Sequence, residues 1–215
     1  MVVATIPAVT VPGRYAVIPT RNRPAELARL VAELHRQGAA VIVVDNGSDP
    51  PASPPIGYTD GVPPTIIVDH EQPPNLSRLW NVALDEVEQQ ARLRGLTEWD
   101  VGVFNDDAVI PAGWFDACTT AMRAGPAVVA CSGPHGPLPK PVLKTAPDAD
   151  IWTRMCPHAF VTRGEAGLRS DESMRWWWFD SDLDRQARMA GGVLLIPGYP
   201  TQNTCANSST VGELA

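Results

Sequence analysis

A chain of 215 residues, 44% of them hydrophobic, has room for one α/β domain around one large core, and no internal repeat divides it. No apolar stretch reaches the ~18 residues of a membrane span, and the opening run MVVATIPAVTVP lacks the basic start and long apolar centre of a signal peptide, so a cytoplasmic protein is expected. A formal charge of −7 disfavours a tight binder of nucleic-acid backbones, though it leaves DNA open as a transiently held substrate.

In chain order, residues 15–19 (YAVIP) predict a buried strand. A helix follows in RNRPAELARLVAELHRQG, where Leu27, Leu30, Val31 and Leu34 recur at helical spacing and Gly38 supplies the stop. AAVIVVD is a β-branched run of the kind buried on both faces of a parallel sheet. The Pro- and Gly-punctuated NGSDPPASPPIGYTDGVPP is a loop, and TIIV is a third strand. Residues 75–94 form a helix with Leu76, Leu79, Trp80, Ala83, Leu84 and Val87 on one face.

VGVF is a fourth strand, residues 113–123 are helical, and AVVACS is a fifth strand. Residues 133–150 show no apolar period and are expected to be a mobile loop that orders over bound substrate. HAFVT, a helix beginning near Ser181 (SDLDRQARMAGG) and the strand VLLIP complete the domain. The β-α-β-α order of the first half demands parallel strands with helices on both faces, an α/β/α sandwich around a mostly parallel, mixed sheet.

In such sheets ligands bind outside the carboxyl ends of the strands. Three polar motifs fall there: PTRNR, VVDNGS and FNDDAVIP. In the last, Asp106 and Asp107 are adjacent, and two carboxylates on one turn repel unless a cation or a basic partner compensates. Hard oxygen ligands on one turn suit Mg²⁺ or Mn²⁺; the alternative is a solvated turn with Asp as a helix cap. The four cysteines form no C-x-x-C pair and read as small buried hydrophobes. His35, on a polar helix, is expected to be solvated, and His70 and His135 to be structural.

From Arg14 to about Gly198 the chain resembles family 2 glycosyltransferases of the GT-A fold. The resemblance is carried by five segments in order. They are Pro19-Thr20-Arg21-Asn22-Arg23-Pro24, Val44-Asp45-Asn46-Gly47-Ser48, the helix opening Asn75-Leu76-Ser77-Arg78-Leu79-Trp80-Asn81, the metal turn Asn105-Asp106-Asp107 with Pro111, and Trp177-Trp178-Phe179-Asp180-Ser181-Asp182-Leu183-Asp184-Arg185. Three departures stand out: Asn105 replaces the first acid of D-x-D, Phe179 replaces the acid before Asp180, and no histidine follows Pro197.

The resemblance implies transfer of a hexose or pentose from a nucleotide sugar, a UDP-sugar first, to an acceptor hydroxyl with inversion and a divalent cation (Mn²⁺ or Mg²⁺). It implies one domain over residues 1–215, with a nucleotide-sugar half at about 14–112 and an acceptor half at about 113–200. Thr20, Arg21, Arg23, Asp45, Asn46, Arg78, Asn81, Asn105 and Asp106 are then candidates for the donor, Asp107 for the metal and Asp180 for the general base. Trp178, Asp182 and His158 are candidates on the acceptor side, Trp178 as a single stacking residue. The acceptor is a glycan, a protein or a modified DNA base; compact relatives of this kind resemble bacteriophage enzymes. Two other readings stay open, a sugar-phosphate nucleotidyltransferase and an inactive nucleotide-sugar binding module. The first lacks its glycine-rich phosphate loop here.

Overall fold

The computed structural model describes residues 11–54, 62–133, 138–146, 154–176 and 178–204. Ten strands and four α-helices follow one another along them, with a 3-10 turn at Gly164–Ala166: β1 (Arg14–Thr20), α1 (Pro24–Arg36), β2 (Ala40–Asp45), β3 (Thr65–Val68), α2 (Leu76–Leu93), β4 (Asp100–Phe104), β5 (Ala108–Val109), α3 (Trp114–Arg123), β6 (Val129–Ser132), β7 (Val142–Lys144), β8 (Ala159–Arg163), α4 (Phe179–Ala190), β9 (Val193–Ile196) and β10 (Gln202–Asn203). Eight strands form one sheet in the order β3-β2-β1-β4-β8-β6-β9-β7, and β5 pairs with β10 apart from it.

β1 to β4 are mutually parallel, and β6 and β9 run the same way. β8 lies antiparallel between β4 and β6, with Phe104 opposite Ala159, and β7 is antiparallel to β9 at the edge. The sheet is therefore mixed and mostly parallel.

Period-two alternation divides the core. Tyr15 and Val17 face one side with Trp80, Val87 and Leu183, so α2 and α4 cover that face. Ala16 and Ile18 face the other side with Leu30, Trp114 and Phe115, so α1 and α3 cover it. Helix ends follow local chemistry. Pro24 opens α1, the Asn75 side chain caps α2 by accepting from Arg78 N, and Gly38 turns the chain out of α1 at φ 79°. A Cβ on Gly164 would lie 1.8 Å from Nε1 of Trp99, so the chain passes the indole there only without a side chain. Cys118, Cys131 and Cys156 are buried and free, as their spacing suggested.

Three short strands escape the sequence reading. β7 lies inside the stretch expected to be a loop, where the three residues VLK, too few for a period, pair as an edge strand with Leu195, Leu194 and Val193. Prolines sit close on both sides of VLK, and an edge strand tolerates them. Residues 134–137 and 147–150 of that expected loop lie outside the described residues. β5 and β10 have two residues each. α4 starts at Phe179, not Ser181, because Trp178 takes the N-cap and its carbonyl already accepts from Asp182 N.

His35 corrects another expectation. It is 5% exposed, and burial lowers its pKa from 6.5 to about 4. The polar residues around it in sequence occupy the other face of α1, while His35 follows Leu27, Leu30, Val31 and Leu34 inward.

Candidate active site

The parallel strands bring their carboxyl ends to one edge of the sheet. Thr20 pairs with Asp45 and Asp45 with Val68, and the ladder continues as Asn46 N donates to Thr20 O (3.0 Å) and Asp69 N to Asp45 O (2.9 Å). Side chains on these tips are positioned by main-chain hydrogen bonds.

The turn after β4 holds the two acids. Thr20 Oγ1 donates to Asp106 Oδ2 at 2.9 Å, and Arg23 Nη1 donates to Asp106 Oδ1 at 3.0 Å. The same guanidinium stands 3.6 Å from Asp107 Oδ2. Arg23 is thus the basic partner the adjacent carboxylates require. Both acids are buried. Burial raises the pKa of Asp106, with Asp107 adding to the rise, while Arg23 and the Thr20 hydrogen bond pull it down. The main chain is braced as well. The Asp107 carbonyl accepts from Arg29 Nη2 (3.2 Å), Thr204 N (3.3 Å) and Thr204 Oγ1 (3.2 Å), the last two delivered by the end of β10.

Asn105 donates its N–H to the carbonyl of His158 at 3.0 Å, one step beyond the β4–β8 ladder. This sets the imidazole within electrostatic reach of Asp107, which raises its pKa, while burial, the larger effect, lowers it. Nε2 pairs with Thr201 Oγ1 at 3.0 Å and lies 3.3 Å from Cys156 Sγ. His158 therefore stands beside the acidic turn.

Asp45 builds the loop after β2. One oxygen accepts from Ser48 N (2.9 Å) and Ser48 Oγ (2.5 Å), the other from Ala52 N (2.8 Å). A cavity of about 110 Å³ opens between this loop and α1, lined by Thr20, Arg23, Leu27, Ser48, Pro50 and Ile66 among others. Asn46 Nδ2 donates to the carbonyls of Asp69 (3.0 Å) and Glu71 (3.2 Å), and Arg21 is exposed on the turn after β1.

Two of the donor-side candidates have protein partners of their own. Arg78 Nε is held by Asp69 Oδ2 (3.1 Å) and Glu71 Oε2 (2.5 Å) beyond the tip of β3. Asn81 does not open onto that edge: its Oδ1 accepts from Ser170 N (2.9 Å) and its Nδ2 donates to Ser170 O (2.9 Å) and Glu172 Oε1 (3.0 Å). Asn75 and Ser77 join it, donating to the carbonyls of Glu172 and Met174. The start of α2 is a clasp on the segment that leads to Asp180.

Asp180 lies in the first turn of α4, where its Oδ1 accepts from Ser181 N at 2.9 Å. Asp182 is committed along the helix to Arg185 (3.0 Å) and Gln186 Nε2 (2.6 Å). Trp178 is 60% exposed at φ 71°, Trp176 is half-buried, and Trp177 lies outside the described residues. Phe179 turns inward, edge-on to Trp80 at 4.8 Å. Arg154 joins this group unannounced by any motif: it is 3.8 Å from Asp180 Oδ1, donates to Ser181 Oγ, and sets its guanidinium 5.6 Å from the Trp178 ring centre. Only the tertiary fold brings it there.

Among the described residues no three His, Cys, Asp or Glu side chains converge on a metal position. Asp106 engages both oxygens with Thr20 and Arg23, and Asp107, whose Oδ2 stands 3.6 Å from Arg23, is the second carboxylate of the turn. One carboxylate completed by substrate phosphates and water is an arrangement Mg²⁺ commonly adopts, so the residues fit a cation that arrives with a diphosphate.

No curated protein sequence matches the chain. Among solved structures, TarS 1–349 of S. aureus is similar at a TM-score of 0.61 and 14% identity, over 86% of this chain and 58% of that one. The same protein in complex with UDP-GlcNAc gives 0.63 and 12%, over 94% and 62%. GalNAc-T7 with UDP, GalNAc and Mn²⁺ gives 0.63 and 11%, over 91% and 44%. The chain thus spans little more than half of the TarS fragment, and these likenesses establish the GT-A fold. Residues 15–186 match the sequence profile of glycosyl transferase family 2, and with that match over most of its length the chain belongs to this family.

Proposed function

We propose that the protein transfers a hexose or pentose from a nucleotide sugar, a UDP-sugar first, to an acceptor hydroxyl with inversion at the anomeric carbon. The observation that carries this reading is the pre-assembled acidic turn: Thr20 and Arg23 hold Asp106, and Asp106 keeps Arg23 beside Asp107 at the parallel strand tips. In this reading the nucleoside occupies the cavity between α1 and the loop after β2, whose walls Asp45 organises. Residues up to about 112 then serve the donor and the later ones the acceptor.

Asp107 would hold a divalent cation together with the donor diphosphate, and a cation there supplies charge neutralisation for the leaving group. Arg23, already at the turn, adds positive charge on the same side. Trp178 offers an apolar ring face to the acceptor. The acceptor hydroxyl oxygen attacks the anomeric carbon and its proton passes to Asp180. The bond from that carbon to the diphosphate oxygen breaks, and its electron pair leaves with the nucleoside diphosphate. Asp182, engaged with Arg185 and Gln186, is the weaker candidate for base.

The test is release of nucleoside diphosphate from UDP-glucose, UDP-GlcNAc and UDP-galactose with Mn²⁺, for the wild type and Asp180→Asn. The reading expects release, reduced about a hundredfold or more in the variant with donor affinity kept. Binding without release points to an inactive module. Pyrophosphate release from a nucleoside triphosphate and a sugar phosphate points to a nucleotidyltransferase.

A further inference from the structure

We infer that Arg154 is a positioning residue for this transfer, setting the carboxylate of Asp180 and the ring of Trp178 as one unit. The inference rests on the assignment of Asp180 as the base.

Three contacts converge on one guanidinium. It lies 3.8 Å from Asp180 Oδ1, donates to Ser181 Oγ, and stacks 5.6 Å from the centre of Trp178. Asp180 Oδ1 is the same oxygen that accepts from Ser181 N, so Arg154 and the helix N-terminus hold one side of the carboxylate. A base must present a fixed lone pair to the hydroxyl it deprotonates, and a carboxylate held through one oxygen does so with the other.

Trp178, a large aromatic side chain at φ 71°, is a backbone outlier, and at 60% exposure the indole gains little from burial. Its side chain makes no capping hydrogen bond to α4. Among the described residues the ring has a cation–π contact with Arg154. An acceptor ring resting on the indole is thereby placed next to the carboxylate that takes its proton. Arg154 is 22% exposed and reaches α4 from just before β8, so it ties two separate elements at this point.

A double-mutant cycle tests the inference, with release of UDP from the best of the three UDP-sugars as readout and water as the acceptor probe. Arg154→Met keeps an unbranched stem against Trp178 but removes the charge and the donors. It should lower release about tenfold while UDP affinity by calorimetry stays within about twofold. Arg154→Lys should recover part of the loss. In an Asp180→Asn background, Arg154→Met should add less than about a twofold further loss, because a residue acting through Asp180 has nothing left to position. Wild-type release by Arg154→Met overturns the inference. A full further tenfold loss on top of Asp180→Asn also overturns it, since Arg154 then acts on the donor directly. Undiminished release by Asp180→Asn removes the base assignment and this inference together, and is distinguished by that variant alone. Thermal melts of both Arg154 variants separate a folding defect from a positioning one, and Lys rescue at equal stability supports the inference.

Discussion

Asn81 treats Ser170 as a neighbouring strand would: it accepts from the Ser170 N–H and donates to the Ser170 carbonyl, each at 2.9 Å. Asn81→Ala strips a buried main-chain donor and acceptor of their partner and should cost ~2–4 kcal/mol in urea unfolding. Asn81→Asp keeps the acceptor but sets a carboxylate against Ser170 O and the Glu172 carboxylate, so it should be no milder. A loss under about 0.5 kcal/mol in both would show that the segment is held by other contacts.

Arg188 and Asp184 form a buried ion pair one turn apart on α4, with Nε 2.6 Å from Oδ2. Asp184 Oδ1 also accepts from Met155 N (2.8 Å), and Arg188 Nη1 donates to Ala146 O (3.1 Å). Arg188→Met leaves a buried carboxylate without its cation and is expected to destabilise by ~3–5 kcal/mol. Asp184→Asn/Arg188→Met together should cost less than Arg188→Met alone. Equal costs for the single and double variants would argue against charge as the cause.

Acid sensitivity should be traceable to His35. Its pKa falls from 6.5 to about 4 on burial, so between those values the unfolded chain binds a proton that the folded protein refuses. Stability is then complete above the unfolded value and declines as pH drops toward the folded one, by up to ~3 kcal/mol. Between about pH 7 and pH 5 the wild type should lose ~2 kcal/mol more than His35→Leu, which cannot titrate there. Parallel pH profiles for the two proteins would refute this.

Asp107→Ala removes the carboxylate proposed to hold the cation while Arg23 keeps Asp106. Divalent-dependent binding of the donor should be lost in calorimetry with Mn²⁺, and the fold retained. Unchanged affinity would make the turn a structural element only. Donor binding by the wild type that ignores EDTA would make the cation dispensable.

The long elements were legible because periodicity reports burial directly: the VIVV of β2 and the Leu27–Leu34 face of α1 need no partner to be recognised. The strand tips, and with them Thr20, Arg23 and the acidic turn, followed from that order. What stayed hidden depends on pairing between distant segments. β7 has three residues and no period, His35 takes its burial from what α1 packs against, and Arg154 meets Asp180 only through the placement of β8 and α4. The bond of Asn81 to Ser170 was hidden too, because an amide that serves a ligand and one that serves a backbone look alike in sequence.

The antiparallel placement of β8 against β4 has a consequence for how such a protein can diversify. The join runs through main-chain hydrogen bonds from Asp100–Arg163 to Phe104–Ala159, which almost any side chains can form. The side chains that bond Asp106, Thr20 and Arg23, lie on the early side of that join, while Arg154, Trp178 and Asp180 lie on the late side. On the proposed reading the seam separates the donor side from the acceptor side, so a substitution at an exposed position of α4 can change the acceptor face without touching the strands that carry Thr20 and Asp106.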